Sequence, residues 1–176
     1  FIPKPFTPFQ WDRMEDISSV RRKQEFLRDA LHRHRLTFKW HHTDTSFLEG
    51  VFARGDRRLG SVLEQAWRSG CRFDGWSEEL RLDRWLEAFA ACKLDPKRYL
   101  EEIAPDSRLP WEHLTTKVSR EHLQQERRKA QNAVPTPSCL SSTPEEQGKD
   151  KVTVHCNHCG LGCDPRTFQC RPLQGE

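Results

Sequence analysis

The feature that most constrains this chain is a break in its patterning at Ala133. Up to Asn132, apolar residues recur at helical spacing. Beyond it, V-P-T-P-S-C-L-S-S-T-P-E-E-Q-G-K-D-K has no hydrophobic period and reads as linker. There follows V-H-C-N-H-C-G-L-G-C, Val154 to Cys163, with three cysteines and two histidines. A polar segment of this kind has little apolar surface to bury, so a bound metal is the natural way to fold it. The expected organisation is a helical body followed by a cysteine-rich, largely irregular tail.

Local signals divide the body. Prolines at positions 3, 5 and 8 exclude helix and favour an extended strand-to-loop passage over residues 1–11. From Asp16, the stripe Ile17, Val20, Leu27 and Leu31 predicts a helix. Leu36, Phe38 and Trp40 alternate with Thr37 and Lys39, which predicts a strand. A second helix is expected over 57–69, with Asp56 as cap and Gly70 as stop; Leu59, Val62, Leu63, Ala66 and Trp67 form its buried face. A third is expected over 78–93, with Leu82, Trp85, Leu86 and Phe89 inward. Asp95-Pro96 opens a short helix carrying Tyr99 and Leu100, and Ser119 caps a polar helix reaching about Asn132. The fold class is therefore mainly α with a little β. Hydrophobic residues make up only 35% of the chain, so its six tryptophans and ten phenylalanines must supply much of the core.

The net charge of +3 is too small to imply nucleic acid. The basic runs Arg21-Arg22-Lys23, Arg57-Arg58 and Arg127-Arg128-Lys129 are interleaved with acids and read as solvated helix faces. No stretch approaches the roughly 18 consecutive apolar residues of a membrane span, and the opening lacks a signal-peptide pattern. Seven cysteines is an odd count, and four of them lie from Cys156 onward. A reducing cytoplasm with a metal-binding tail fits that distribution better than a disulfide scaffold. The chain opens on Phe1 in the middle of a proline-rich run, and its single methionine is Met14. It reads as a fragment whose N-terminal part is missing.

In the tail, C-x2-C followed by glycine is a knuckle that points two thiolates, Cys156 and Cys159, at one metal. Gly160 supplies a conformation that other residues resist. Cys163 is a third ligand, and the fourth is Cys139 or Cys170, with His155 and His158 as lesser options. Thiolate-rich sites take zinc or an iron–sulfur cluster, and spacing alone does not separate them. Cys71 and Cys92 read as buried core thiols. His41-His42-x-Asp44 makes a poor ligand set, because neighbours on a strand face opposite ways. Glu49, Arg54, Asp56 and Arg57 form a polar loop, either a structural ion-pair loop or a substrate mouth. Asp74 and Trp76 read as a turn with an aromatic anchor.

Several longer runs carry a family resemblance. F-I-P-K-P-F-T-P-F-Q-W (1–11) resembles the segment closing the catalytic barrel of radical S-adenosylmethionine (radical SAM) enzymes of the cobalamin-binding-domain and methylthiotransferase type. S-F-L-E-G-V-F-A-R-G-D-R-R-L (46–59), A-W-R-S-G-C-R-F-D-G-W (66–76), L-D-P-K-R-Y-L (94–100) and L-P-W-E-H-L (109–114) extend it. These runs are similar to the post-barrel region of an uncharacterised bacterial radical SAM family, often fused to a domain of unknown function. The resemblance implies that residues 1–15 are the last barrel strand and exit loop, 16–132 the helical post-barrel region, 133–152 a linker and 153–176 a metal-binding tail. It implies a missing N-terminal partner segment holding a cobalamin-binding-like domain and most of the barrel. S-adenosylmethionine, a 4Fe-4S cluster and, in cobalamin-binding members, cobalamin would belong to the full-length protein. Lys4 would then face the barrel's active end, although a lysine at a strand end is equally at home in solvent.

The family's reactive cluster is held by C-x3-C-x2-C, which this chain lacks; Cys156, Cys159 and Cys163 read C-x2-C-x3-C, the reverse order. The fragment is therefore not catalytic alone. Relatives carry a cysteine shortly after the last helix and then C-x2-C-G-x-C. This implies the ligand set Cys139, Cys156, Cys159 and Cys163, with one extra residue here before Cys163. An auxiliary cluster or a structural zinc is the expected occupant. The competing reading is a zinc-knuckle module that binds RNA or docks a partner.

Overall fold

The computed structural model describes residues 1–143, 151–154 and 156–161. The described chain is helical: α1 (Ile17–Arg33), α2 (Thr43–Arg54), α3 (Leu59–Arg68), α4 (Leu82–Ala91), a 3-10 helix (Pro96–Leu100) and α5 (Arg120–Gln131), with one short ladder of β1 (Leu140–Thr143) and β2 (Lys151–Val154). It divides into two compact units, Phe1–Leu114 and Thr115–Glu176.

The first unit is built on α2, α3 and α4. Phe47, Leu48 and Val51 meet Leu59, Val62 and Ala66, and Cys71, Trp85, Ala88 and Phe89 complete the buried cluster. Phe52 sets its ring edge-on to Trp85 at a centroid distance of 5.4 Å, a geometry that aligns ring quadrupoles favourably. Gly50 leaves a bare patch on α2. A Cβ there would lie 2.5 Å from Met14 Sδ and 3.0 Å from Leu100 Cδ2, so glycine is what lets these side chains close onto the helix. α3 ends where Gly70 turns into the left-handed region at φ +88°, as its sequence predicts. The Asp95 carboxylate accepts from Lys97 N at 2.9 Å and opens the 3-10 helix, with Pro96 in its first turn.

α1 starts as expected. Asp16 is its N-cap, and its carboxylate accepts from Ser19 N at 3.0 Å. None of its residues is buried, and Phe26 and Leu27 of the apolar side are exposed. The helix is tied to α2 by polar contacts: Arg21 Nη2 lies 2.6 Å from Asp44 Oδ1, and its Nε donates to Thr43 Oγ1 at 3.1 Å. Hydrogen bonds from the Ser18 hydroxyl, first, and the Ser19 amide hold the Asp16 carboxyl below its ordinary pKa. A carboxylate depressed in the folded state stabilises above its unfolded pKa, and the contribution fades as pH falls through the folded value. Helicity of α1 should therefore hold at neutral pH and fray below about pH 4, the ordinary aspartate range. Asp16→Asn should shift this fraying midpoint in circular dichroism, whereas an unshifted midpoint would remove Asp16 from the account.

Four expectations are corrected. Residues 36–40 form no strand, because among the described residues no second strand pairs with them; Phe38 and Trp40 instead stack their rings at 5.1 Å. Leu63 and Trp67 are exposed, at 48% and 59%, since the ten-residue α3 packs only its Leu59–Val62–Ala66 edge. The helix expected from residue 78 starts at Leu82, after turns over 77–79, and leaves Leu86 exposed. Asp56 does not cap α3 directly. It accepts from Arg58 N at 2.9 Å and shapes the turn before the helix.

In the second unit, the Ser119 hydroxyl accepts from His122 N at 3.2 Å and caps α5, whose only buried residue is Leu123. Within the span expected as linker, β1 forms and pairs antiparallel with β2, Leu140 opposite Val154 and Thr143 opposite Lys151. Among the described residues no helix is long and apolar enough to cross a membrane.

Candidate metal centre

The β1–β2 register places the cysteines. Cys139 precedes Leu140, and Leu140 pairs with Val154, so Cys139 leaves the ladder at the end where the chain runs on to Cys156. Asn157 then spans the gap. Its Nδ2 donates to Pro137 O at 2.9 Å and to Cys139 Sγ at 3.2 Å. An asparagine between the two knuckle cysteines thus fastens the third cysteine beside them.

The knuckle has the backbone its sequence implies. His158 N donates to Cys156 Sγ at 3.4 Å, and His158 Nδ1 lies 3.9 Å from the same sulfur. An amide donor aimed at a sulfur suits a thiolate, because charged acceptors make the stronger hydrogen bonds. His158 itself is left-handed at φ +52°, and Gly160 follows at φ +96°. A Cβ on Gly160 would stand 2.9 Å from Lys117 O and 3.1 Å from Ser119 N, so there is no space for a side chain. Ser119 N in turn donates to Cys159 O at 2.8 Å. One residue therefore caps α5 with its hydroxyl and anchors the knuckle with its amide.

This geometry yields a separable pair of outcomes for the metal-loaded chain. Gly160→Ala should weaken metal retention roughly tenfold, since the left-handed conformation costs a Cβ-bearing residue about 1–2 kcal/mol and Lys117 O leaves no room. Ser119→Ala keeps the anchoring amide and should lower stability by about 1 kcal/mol, the usual worth of a cap, with metal retention unchanged. Competition against a chelator measures the first effect and urea unfolding the second.

Cys139 and Cys156 are exposed free thiols and Cys159 is half-buried. Cys163, Cys170 and His155 lie outside the described residues. Among the described residues, no three His, Cys, Asp or Glu side chains converge into a metal-sized group. What the described residues show is a knuckle with an amide donating to the Cys156 sulfur and Asn157 donating to the Cys139 sulfur. Sequence reasoning overlooked His122. Its Nδ1 is buried in the same unit without a hydrogen-bond partner among the described residues, and a histidine in so polar a helix carries no local signal of it.

The remaining candidates resolve differently. His42 stands at the N-terminus of α2 without capping it, and Asp44 is engaged by Arg21, so His41, His42 and Asp44 form no ligand set. Cys71 is buried and its thiol pKa is pushed up by burial, as befits an inert core thiol; Cys92 is only half-buried. Asp74 accepts from Trp85 Nε1 at 3.2 Å, while Trp76 is exposed and meets Phe73 edge-on. Lys4 pairs with Glu49 at 2.8 Å, both partly in solvent. Arg54 is almost fully buried, with Nη1 on Asp12 O and Nη2 on Glu101 O, each at 2.7 Å. Asp56 is held by Arg58, leaving Arg57 exposed at the mouth of a cleft.

Comparison with protein-family profiles, curated proteins and solved structures gives no match to this chain.

Proposed function

We propose that this chain is the C-terminal part of a radical SAM iron–sulfur enzyme whose tail carries an accessory metal centre. The observation that carries the metal reading is the Cys156–Gly160 knuckle, with its amide on the Cys156 sulfur and Cys139 fastened alongside by Asn157. Cys139, Cys156, Cys159 and Cys163 would hold the metal, zinc or an iron–sulfur cluster. A zinc there would clip the hairpin to the N-terminal cap of α5, and a cluster would add electron-transfer capacity. The radical SAM assignment is supported by the five long sequence runs within residues 1–114, and the reaction and substrate would be set by the rest of the enzyme. In that reading S-adenosylmethionine, its 4Fe-4S cluster and any cobalamin belong to the N-terminal part, and the protein works in the cytoplasm.

Reading the coding sequence upstream of Phe1 tests the enzyme assignment. A C-x3-C-x2-C motif within a few hundred codons is expected, and an upstream sequence without one would refute it. One observation favours a second reading, an RNA-binding or partner-docking module. Trp67, Phe73 and Trp76 are all exposed, and the Arg72 guanidinium lies 4.8 Å from the centre of the Trp67 ring. Exposed aromatics beside arginine are the stacking surfaces that single-stranded RNA uses. Retention of a single-stranded RNA by the isolated chain, lost on Trp67→Ala, would favour that alternative.

A further inference from the structure

The cleft at the α2–α3 turn suggests a ligand of its own, independent of the metal centre and wholly within the first unit. It has a volume of about 670 Å³ and lies between Gly55–Arg57 and the segment Arg108–His113. Two of its lining residues, Leu109 and Trp111, are buried, and Trp111 Nε1 donates to Gln10 Oε1 at 2.9 Å, itself a buried side chain. Arg57, Arg108 and His113 also line the cleft. The Asp56 carboxylate, which also lines it, is already satisfied. Arg58 covers it through its backbone N at 2.9 Å and its Nη2 at 2.7 Å. Arg108 Nε lies 4.0 Å from Glu112 Oε2, and the Arg57 side chain makes no ion pair or hydrogen bond among the described residues, its backbone carbonyl alone accepting from Gly60 N.

Two guanidinium groups lining one concave surface, one of them paired only at 4.0 Å, suit a planar or tetrahedral oxyanion, which each can grip through two parallel N–H donors. The volume decides what carries that anion. It falls within the roughly 300–1,000 Å³ of ligand pockets, far more than a bare ion fills, and the lining includes the apolar Leu109 and the aromatic Trp111. We propose that this cleft binds a small organic phosphomonoester, with Arg57 and Arg108 on the phosphate and the organic body over Leu109 and Trp111.

Titrating the full chain with AMP and ribose 5-phosphate, against adenosine and ribose as phosphate-free controls, tests this by calorimetry. At least one ester should bind about tenfold or more tighter than its phosphate-free partner, the scale of a charge-assisted contact. Arg57→Ala combined with Arg108→Ala should abolish that preference. Arg68→Ala, which removes an exposed arginine paired with Glu64 elsewhere, should leave it intact. The proposal is overturned if neither ester binds, if ester and control bind equally, or if the double variant keeps the preference. It is overturned equally if a 5′-phosphorylated RNA oligonucleotide binds while both small esters fail. Because Arg57 and Arg108 are exposed, unchanged circular dichroism is expected for the double variant.

Discussion

Arg54→Ala is expected to destabilise the first unit by about 4 kcal/mol, the scale of losing two charge-assisted hydrogen bonds and leaving a void. The residue is 1% exposed, and its two terminal nitrogens reach carbonyls 42 and 47 positions away, on Asp12 and Glu101. It therefore joins α2, the N-terminal segment and the chain leaving the 3-10 helix. Burial lowers the pKa of its guanidinium from the ordinary value, with Asp12 opposing; an arginine has so much to spare that it stays charged at working pH. Keeping this charge inside is itself costly, and its Nε has no partner among the described residues. Arg54→Met fills the space and removes the buried charge but still deprives both carbonyls of donors, so it should cost less than alanine, about 2 kcal/mol. Urea unfolding followed by tryptophan fluorescence measures both. Equal losses for alanine and methionine would mean that packing contributes nothing, and a loss below about 1 kcal/mol for both would remove Arg54 as the link.

Trp11→Ala should be of similar size, about 3–5 kcal/mol, the range for deleting a large aromatic from a core. Trp11 is fully buried, and its carbonyl accepts from Ile103 N at 2.9 Å. Its indole N–H is buried with no partner among the described residues. Trp11→Phe keeps most of the apolar burial and deletes the unsatisfied donor, so it should lose far less, under about 1.5 kcal/mol. If phenylalanine proved as damaging as alanine, the indole N–H would have a role that its surroundings do not explain.

Both effects rest on contacts that no local reading of the chain reveals. Asp16, Gly70, Asp95 and Ser119 were legible because a cap or stop involves groups within about four residues of one another. Arg54 sits in a run that reads as a polar loop, and only carbonyls from distant segments make it a core residue. The expectation of a strand at Leu36–Trp40 failed for a related reason: alternation prepares a strand, but pairing needs a second one. Trp67 fits the helical stripe of α3, yet a ten-residue helix has one packed edge and this tryptophan lies off it. The knuckle was legible down to Gly160, whose positive φ its position after the second cysteine announces. The place of Cys139 was not legible from local pattern, since it depends on a hairpin within a segment that looks like linker. Asp56 and Arg57 were legible as one side of a mouth, but the Arg108–His113 side of the cleft was not, because it lies about 50 residues further along the chain.

The tail is proposed to hold a metal through the knuckle cysteines. Purifying the chain anaerobically and measuring iron, zinc and acid-labile sulfide per polypeptide tests it most directly. The expected result is a stoichiometric metal, zinc without sulfide or iron with it, that is lost in Cys156→Ser and Cys159→Ser and retained in Cys71→Ser. Neither metal at stoichiometric level, or full retention after the knuckle cysteines are replaced, would contradict the account.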